Sequence, residues 1–193
     1  MSIIPVESPA PVLPRRRKQL FATAYASAGV VMFTVALLGS YLVQRAADIE
    51  TWLADNSIPL LQPTMGLFTL VLSAAAMQWA VYAISRDMRS HALLATGLTG
   101  LLGIAYINSI AFLYSQVGLE MANHSEAPLF YTLTASHLVF VAIGVLYLAV
   151  MAFRALGGQF SARYPEGISA AAVYWYVVVG LYGVIWYAVY VTK

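Results

Sequence analysis

Polar and apolar positions along this chain separate into long blocks with little of the short alternation expected of strands. Five runs contain no Asp, Glu, Lys or Arg: Gln19–Gln44, Asn56–Ser85, Ser90–Leu119, Ala127–Phe153 and Gly167–Thr192, each 26 to 30 residues long. A helix needs about 20 residues to cross the hydrocarbon of a bilayer, and two crossings with a turn need over about 40, so each run spans once. The dyad alternation of a membrane barrel is missing, which disfavours strands. The pattern predicts an all-α membrane protein, a bundle of five transmembrane helices near Phe21–Val43, Pro63–Ile84, Ala92–Tyr114, Leu129–Phe153 and Ile168–Val191.

Composition fits that solvent. Hydrophobic residues make up 61% of the 193 positions and charged residues 9%, too few to clothe a soluble domain. The absence of cysteine excludes disulfides, thiolate metal sites and a cysteine nucleophile. A net charge of +2, scattered along the chain, gives no footing for nucleic acid.

The basic residues set the orientation. With the N-terminus in the cytoplasm, that side carries Arg15, Arg16, Arg17, Lys18, Arg86, Arg89, Arg154 and Arg163, against Arg45 and Lys193 opposite. Eight against two is the positive-inside bias, and it puts the C-terminus outside. Residues 1–19, with Pro5, Pro9, Pro11 and Pro14 before the basic cluster, read as a disordered cytoplasmic tail, and 20–193 as the membrane domain. A secretory signal also pairs basic residues with an apolar run, but the run here is longer than a signal core. The loop Ser115–Pro128, with Glu120, His124 and Glu126, is the most polar outer stretch.

Candidate chemistry is sparse. His137 is the one histidine well inside a span, and an intramembrane ionisable group is a functional candidate by default. Haem or copper typically wants a second ligand, and no other histidine lies at that depth. A neutral histidine bonded to a neighbouring helix is the better reading. His91 and His124 lie at opposite ends of helix three and cannot share a metal. No span carries Asp, Glu, Lys or Arg, which argues against protons or ions crossing through this chain alone. Thr96, Gly97, Gly100 and Gly103 in helix three, with Gly180 and Gly183 in helix five, suit close packing within the bundle or against a partner. The methionines and tyrosines read as packing and interface residues.

The order of motifs resembles subunit III of the haem-copper respiratory oxidases, in its short five-helix bacterial form. Met32-Phe33, Tyr41 and Arg45-Ala46 match the family's first run, and Ser73 with its small neighbours and Gln78 matches the next helix. Gly103 and Tyr114 match a Gly…Glu-Tyr stretch. Phe130-Tyr131, Thr134, His137 and Gly144 match a histidine-bearing helix, and Tyr174-Trp175 opens the last one. The similarity runs from about Tyr25 to Val191. Val30, Leu113, Phe140, Tyr176 and Val179 stand where the family has ionisable or histidine residues, so support of proton uptake through those groups is not carried over.

The resemblance implies an accessory, non-redox subunit without haem or copper of its own. Those cofactors are expected in catalytic subunit I, with subunit II and other small subunits alongside. It also implies bound phospholipid, a helix-one contact around Gly29–Ser40, and a multi-pass position in a bacterial plasma membrane. His137, Trp175, Tyr114, Tyr41 and Arg45 are the candidate structural or lipid and subunit contacts; no residue is assigned a catalytic, cofactor or metal role. The relative accompanying nitric oxide reductase, and an independent small transporter or lipid-binding protein, are the alternatives.

Overall fold

The computed structural model describes residues 17–47, 52, 58–117, 127–161 and 165–192. The proposed tail up to residue 16, Arg163, Lys193, and Glu120, His124 and Glu126 of the outer loop lie outside the described residues. Five α-helices follow one another: α1 Lys18–Ala47, α2 Leu61–Ser85, α3 Arg89–Val117, α4 Ala127–Leu156 and α5 Glu166–Ile185. All five spans are long and apolar enough to cross a membrane, α5 by including a π-helical extension, Trp186–Val191. The chain is a multi-pass membrane protein.

The helices begin two or three residues before the predicted spans, and α1, α3 and α4 run three or four residues past their ends. The apolar run marks only the hydrocarbon-facing stretch, whereas the helix continues into the headgroup layer until something stops it. At the end of α2, Asp87 takes a left-handed conformation (φ 57°), with Met88 N–H on Ala83 O (3.0 Å) and Asp87 N–H on Ile84 O (3.1 Å). Gly158 (φ 73°) ends α4 the same way, with Gln159 N–H on Arg154 O (3.1 Å) and its own N–H on Ala155 O (3.0 Å). Both are Schellman endings that satisfy carbonyls left over at a helix terminus.

α5 is the hub. It packs on α1, α4 and α2, while α3 is held between α2 and α4. Half of the most apolar window of α5 is buried against 17% of that of α1, so α1 is the least covered helix. Its buried positions are Thr23, Ser27, Thr34, Leu38 and Tyr41, a stripe more polar than the face turned outward. In lipid this inversion is sensible, because polar groups are best satisfied between helices.

Contacts fix which helix ends meet. Glu166 at the start of α5 accepts from the backbone N–H of Gln19 at 2.7 Å and of Leu20 at 3.4 Å. A carboxylate from another helix therefore caps the positive end of α1. Arg17 and Arg154 line one cavity at this end, of about 550 Å³, with Gln159 and Glu166. Arg45 lies at the far end, where its Nη1 donates to Ala188 O (3.2 Å) and Thr192 Oγ1 (3.0 Å).

Candidate functional site

Trp175, on α5, is the largest fully buried side chain. Its indole N–H donates to Ser73 Oγ of α2 at 2.9 Å, and Ser73 donates in turn to Leu70 O at 2.6 Å. The ring lies against two glycines: a Cβ on Gly103 of α3 would sit 2.7 Å from Trp175 Cη2, and one on Gly144 of α4 2.9 Å from Cζ3. One side chain thereby joins four helices, and glycine is needed where the indole passes. The other glycines noted above behave differently. Gly97, Gly100, Gly180 and Gly183 have nothing within 4 Å of an added Cβ, so they do not mediate close packing within the bundle.

His137, on α4, is equally buried. Nε2 lies 3.0 Å from Val178 O of α5, and Nδ1 lies 3.0 Å from the hydroxyl of Tyr106 on α3. A carbonyl only accepts, so Nε2 carries the proton, and in the neutral ring Nδ1 accepts from Tyr106. Both nitrogens are engaged, which leaves neither lone pair open to a metal. The Tyr106 ring stands edge-on to Tyr182, centroids 4.8 Å apart, and Tyr182 donates to Pro63 O at 3.0 Å. Gly66 fits beneath both tyrosines, its notional Cβ 3.1 Å from the Tyr106 ring. Nothing in the sequence singled out Tyr106 or Tyr182 among 13 tyrosines, since a hydroxyl's partner on another helix leaves no local pattern.

Tyr114 and Tyr41 are also held by hydroxyls and ring edges. Tyr114 donates to Thr134 Oγ1 at 2.8 Å, and Tyr41 accepts from Trp52 Nε1 at 3.3 Å. Of the five candidates, His137 and Trp175 lie in the middle of the bundle, whereas Tyr41 and Arg45 lie near the end of α1. They do not converge on one point. Among the described residues no three His, Cys, Asp or Glu side chains gather as metal ligands.

Every helix turns exposed apolar side chains outward, among them Phe68 of α2, Leu101 of α3, Leu146 of α4 and Val184 of α5, and α1 is the least covered. The outward face of α1 presents Phe21, Tyr25, Met32 and Val43, all exposed, with Ala36 among them. Beside it, Leu38 and Leu42 of α1 and Gly180, Gly183 and Val184 of α5 line a groove of about 580 Å³ that ends at Tyr187 and Thr192.

Fold and site define a helical membrane subunit whose interior is devoted to holding helices together and whose first helix is left uncovered on one side. Residues 24–193 match the family described as cytochrome c oxidase subunit III, and the chain belongs to that family. It is 31% identical over 144 residues to cytochrome c oxidase subunit 3 of Paracentrotus lividus, covering 73% of this chain and 54% of that protein. The subunit of Strongylocentrotus purpuratus is 30% identical over 132 residues (68% and 49%), and that of Spodoptera frugiperda 28% over 134 (69% and 88%). The matched region thus spans about half the length of the first two relatives.

Proposed function

We propose that this chain is the accessory subunit III of a haem-copper terminal oxidase, stabilising catalytic subunit I in aerobic electron transport. The observation that carries this reading is the uncovered face of α1 in a member of the subunit III family. A helix with 17% of its most apolar window buried still has a whole side to offer to another subunit or to lipid. Haem and copper belong to the partner in this reading, and both nitrogens of His137 are already committed to Val178 and Tyr106. Subunit II and further small subunits complete the complex. Phospholipid occupies the groove between α1 and α5, its acyl chains along Leu38, Gly180 and Gly183.

The complex sits in a bacterial plasma membrane, with the Arg17, Arg86, Arg89 and Arg154 end in the cytoplasm. That orientation rests on the basic residues of the sequence. The test is purification through a tag on this chain from its native membrane. Haem absorbance that follows the tag through two columns is the expected result. A monodisperse chain with no haem protein in any fraction overturns the assignment.

A further inference from the structure

Four tyrosines in the bundle donate to groups that cannot keep a proton: Tyr182 to Pro63 O, Tyr174 to Phe140 O, Tyr114 to Thr134 Oγ1 and Tyr176 to Gln78 Oε1. Tyr106 is different. Its hydroxyl is 3.0 Å from an imidazole nitrogen, the one acceptor in this set that can take up a proton and hold it as a cation. Tyr106 and His137 are each 1% exposed, so water is not at hand to compete for that proton.

We propose that Tyr106 and His137 form a redox-active pair. A strong one-electron oxidant removes an electron from the Tyr106 ring. The phenolic O–H bond breaks, and an N–H bond forms at His137 Nδ1. The products are a neutral tyrosyl radical, an imidazolium and the oxidant reduced by one electron. Return of one electron to Tyr106 sends the proton back.

Three features of the geometry favour the step. An oxidised phenol is a very strong acid, so its oxidation is easiest where a base already holds the hydrogen bond. The imidazolium formed keeps its Nε2–H on Val178 O, a dipole that stabilises the new positive charge. Tyr182, with its ring centroid 4.8 Å away, gives the electron a neighbouring aromatic through which to leave. The pair's role as a sink for stray oxidising equivalents, generated at an oxygen-reducing haem-copper centre, rests on the function proposed above.

The test uses the full chain in phosphatidylcholine nanodiscs, oxidised by photogenerated tris(bipyridine)ruthenium(III) and followed by electron paramagnetic resonance. Expected is a long-lived tyrosyl signal that Tyr106→Phe removes. Its apparent potential stays level across the neutral pH range, because the proton remains on His137. His137→Gln separates this role from a structural one: glutamine can accept from Tyr106 and donate to Val178 but is not a base. The variant should keep the fold by circular dichroism and lose the long-lived signal. A signal untouched by Tyr106→Phe, or kept in His137→Gln, overturns the pair. Because no partner is present, these outcomes do not depend on the oxidase assignment. A second arm adds peroxide to the tagged native complex, where the same signal should appear in wild type and vanish in Tyr106→Phe. A radical in nanodiscs without one in the complex overturns the protective role and leaves the pair standing.

Discussion

The indole N–H of Trp175 reaches across the bundle to Ser73 Oγ, 102 residues earlier, at 2.9 Å. The bond decides how the helices lie. Ser73 fixes the depth of the ring on α2, and Gly103 and Gly144 give it room on α3 and α4. Apolar packing in a bilayer gains nothing from expelling water, so close fit and interhelical hydrogen bonds carry the association. Trp175 combines both.

Overpacking at this point should therefore be costly. Gly103→Ala places a methyl 2.7 Å from Trp175 Cη2 and 2.8 Å from Val145 Cγ2. It is expected to lower stability by about 1–3 kcal/mol in detergent unfolding. Trp175→Phe removes the ring atoms that clash, so Gly103→Ala should cost measurably less in that background. Equal cost in both backgrounds would mean that the indole is not what the glycine accommodates.

His137 gives a graded expectation. His137→Gln preserves a donor for Val178 O and an acceptor for Tyr106, so fold and assembly are retained. His137→Leu leaves both partners unpaired in a dry interior and should cost about 0.6–2 kcal/mol, the range for hydrogen bonds between membrane helices. Thermal unfolding of the two variants side by side checks the order. Equal stability of Leu and Gln variants would show that neither bond holds the helices.

The cap on α1 is testable by hydrogen exchange. Glu166 receives the N–H groups of Gln19 and Leu20 from 147 and 146 residues away in sequence. Glu166→Ala should speed amide exchange at these two positions while α5 keeps its protection. Unchanged exchange at Gln19 would mean that the carboxylate does not hold the end of α1.

The five spans were legible in the sequence because the bilayer imposes one rule: an apolar run of sufficient length without charge. Which face of each helix turns inward was not. Lipid-facing and bundle-facing sides are both apolar, so the helical periodicity that marks an inside face in soluble proteins is weak. The buried stripe of α1 even reads as its polar side, with Thr23, Ser27 and Thr34. Single residues fared by the same logic. His137 stood out as a lone ionisable group in a span, but its partners Tyr106 and Val178 come from helices with no sequence mark. Gly103 and Gly180 looked alike in sequence, yet only Gly103 meets a tryptophan. The π-helical turn at Trp186–Val191 had no signal such as Pro or Gly within it.

The orientation expected from the basic residues can be tested directly, because the chain contains no cysteine. Ser90 is exposed beside the α2–α3 turn, and Ser115 is exposed near the opposite end of α3. In intact cells, a membrane-impermeant maleimide should label Ser115→Cys and spare Ser90→Cys until the membrane is opened. Labelling of Ser90→Cys from outside would invert the topology.

The proposed partner surface is the outward face of α1. Ala36 lies on the outward side of α1 and is exposed, so a larger side chain there has no intramolecular clash to cause. Its neighbours on that side, Met32 and Val43, are 73% and 72% exposed. Ala36→Trp should accordingly leave the isolated chain as stable as before. If this face docks on the catalytic subunit, the added indole should weaken retention of the chain in the oxidase and leave the haem spectra of the remaining complex largely intact. Leu101→Trp, at a 65% exposed position on α3, is the control and should be retained normally. Loss with Leu101→Trp but not Ala36→Trp would move the interface from α1 to α3. If Ala36→Trp instead abolishes electron transfer in a fully assembled complex, this subunit acts closer to the chemistry than a scaffold should. Affinity purification of the two variants, with haem absorbance and oxygen consumption measured on the same fractions, distinguishes these outcomes.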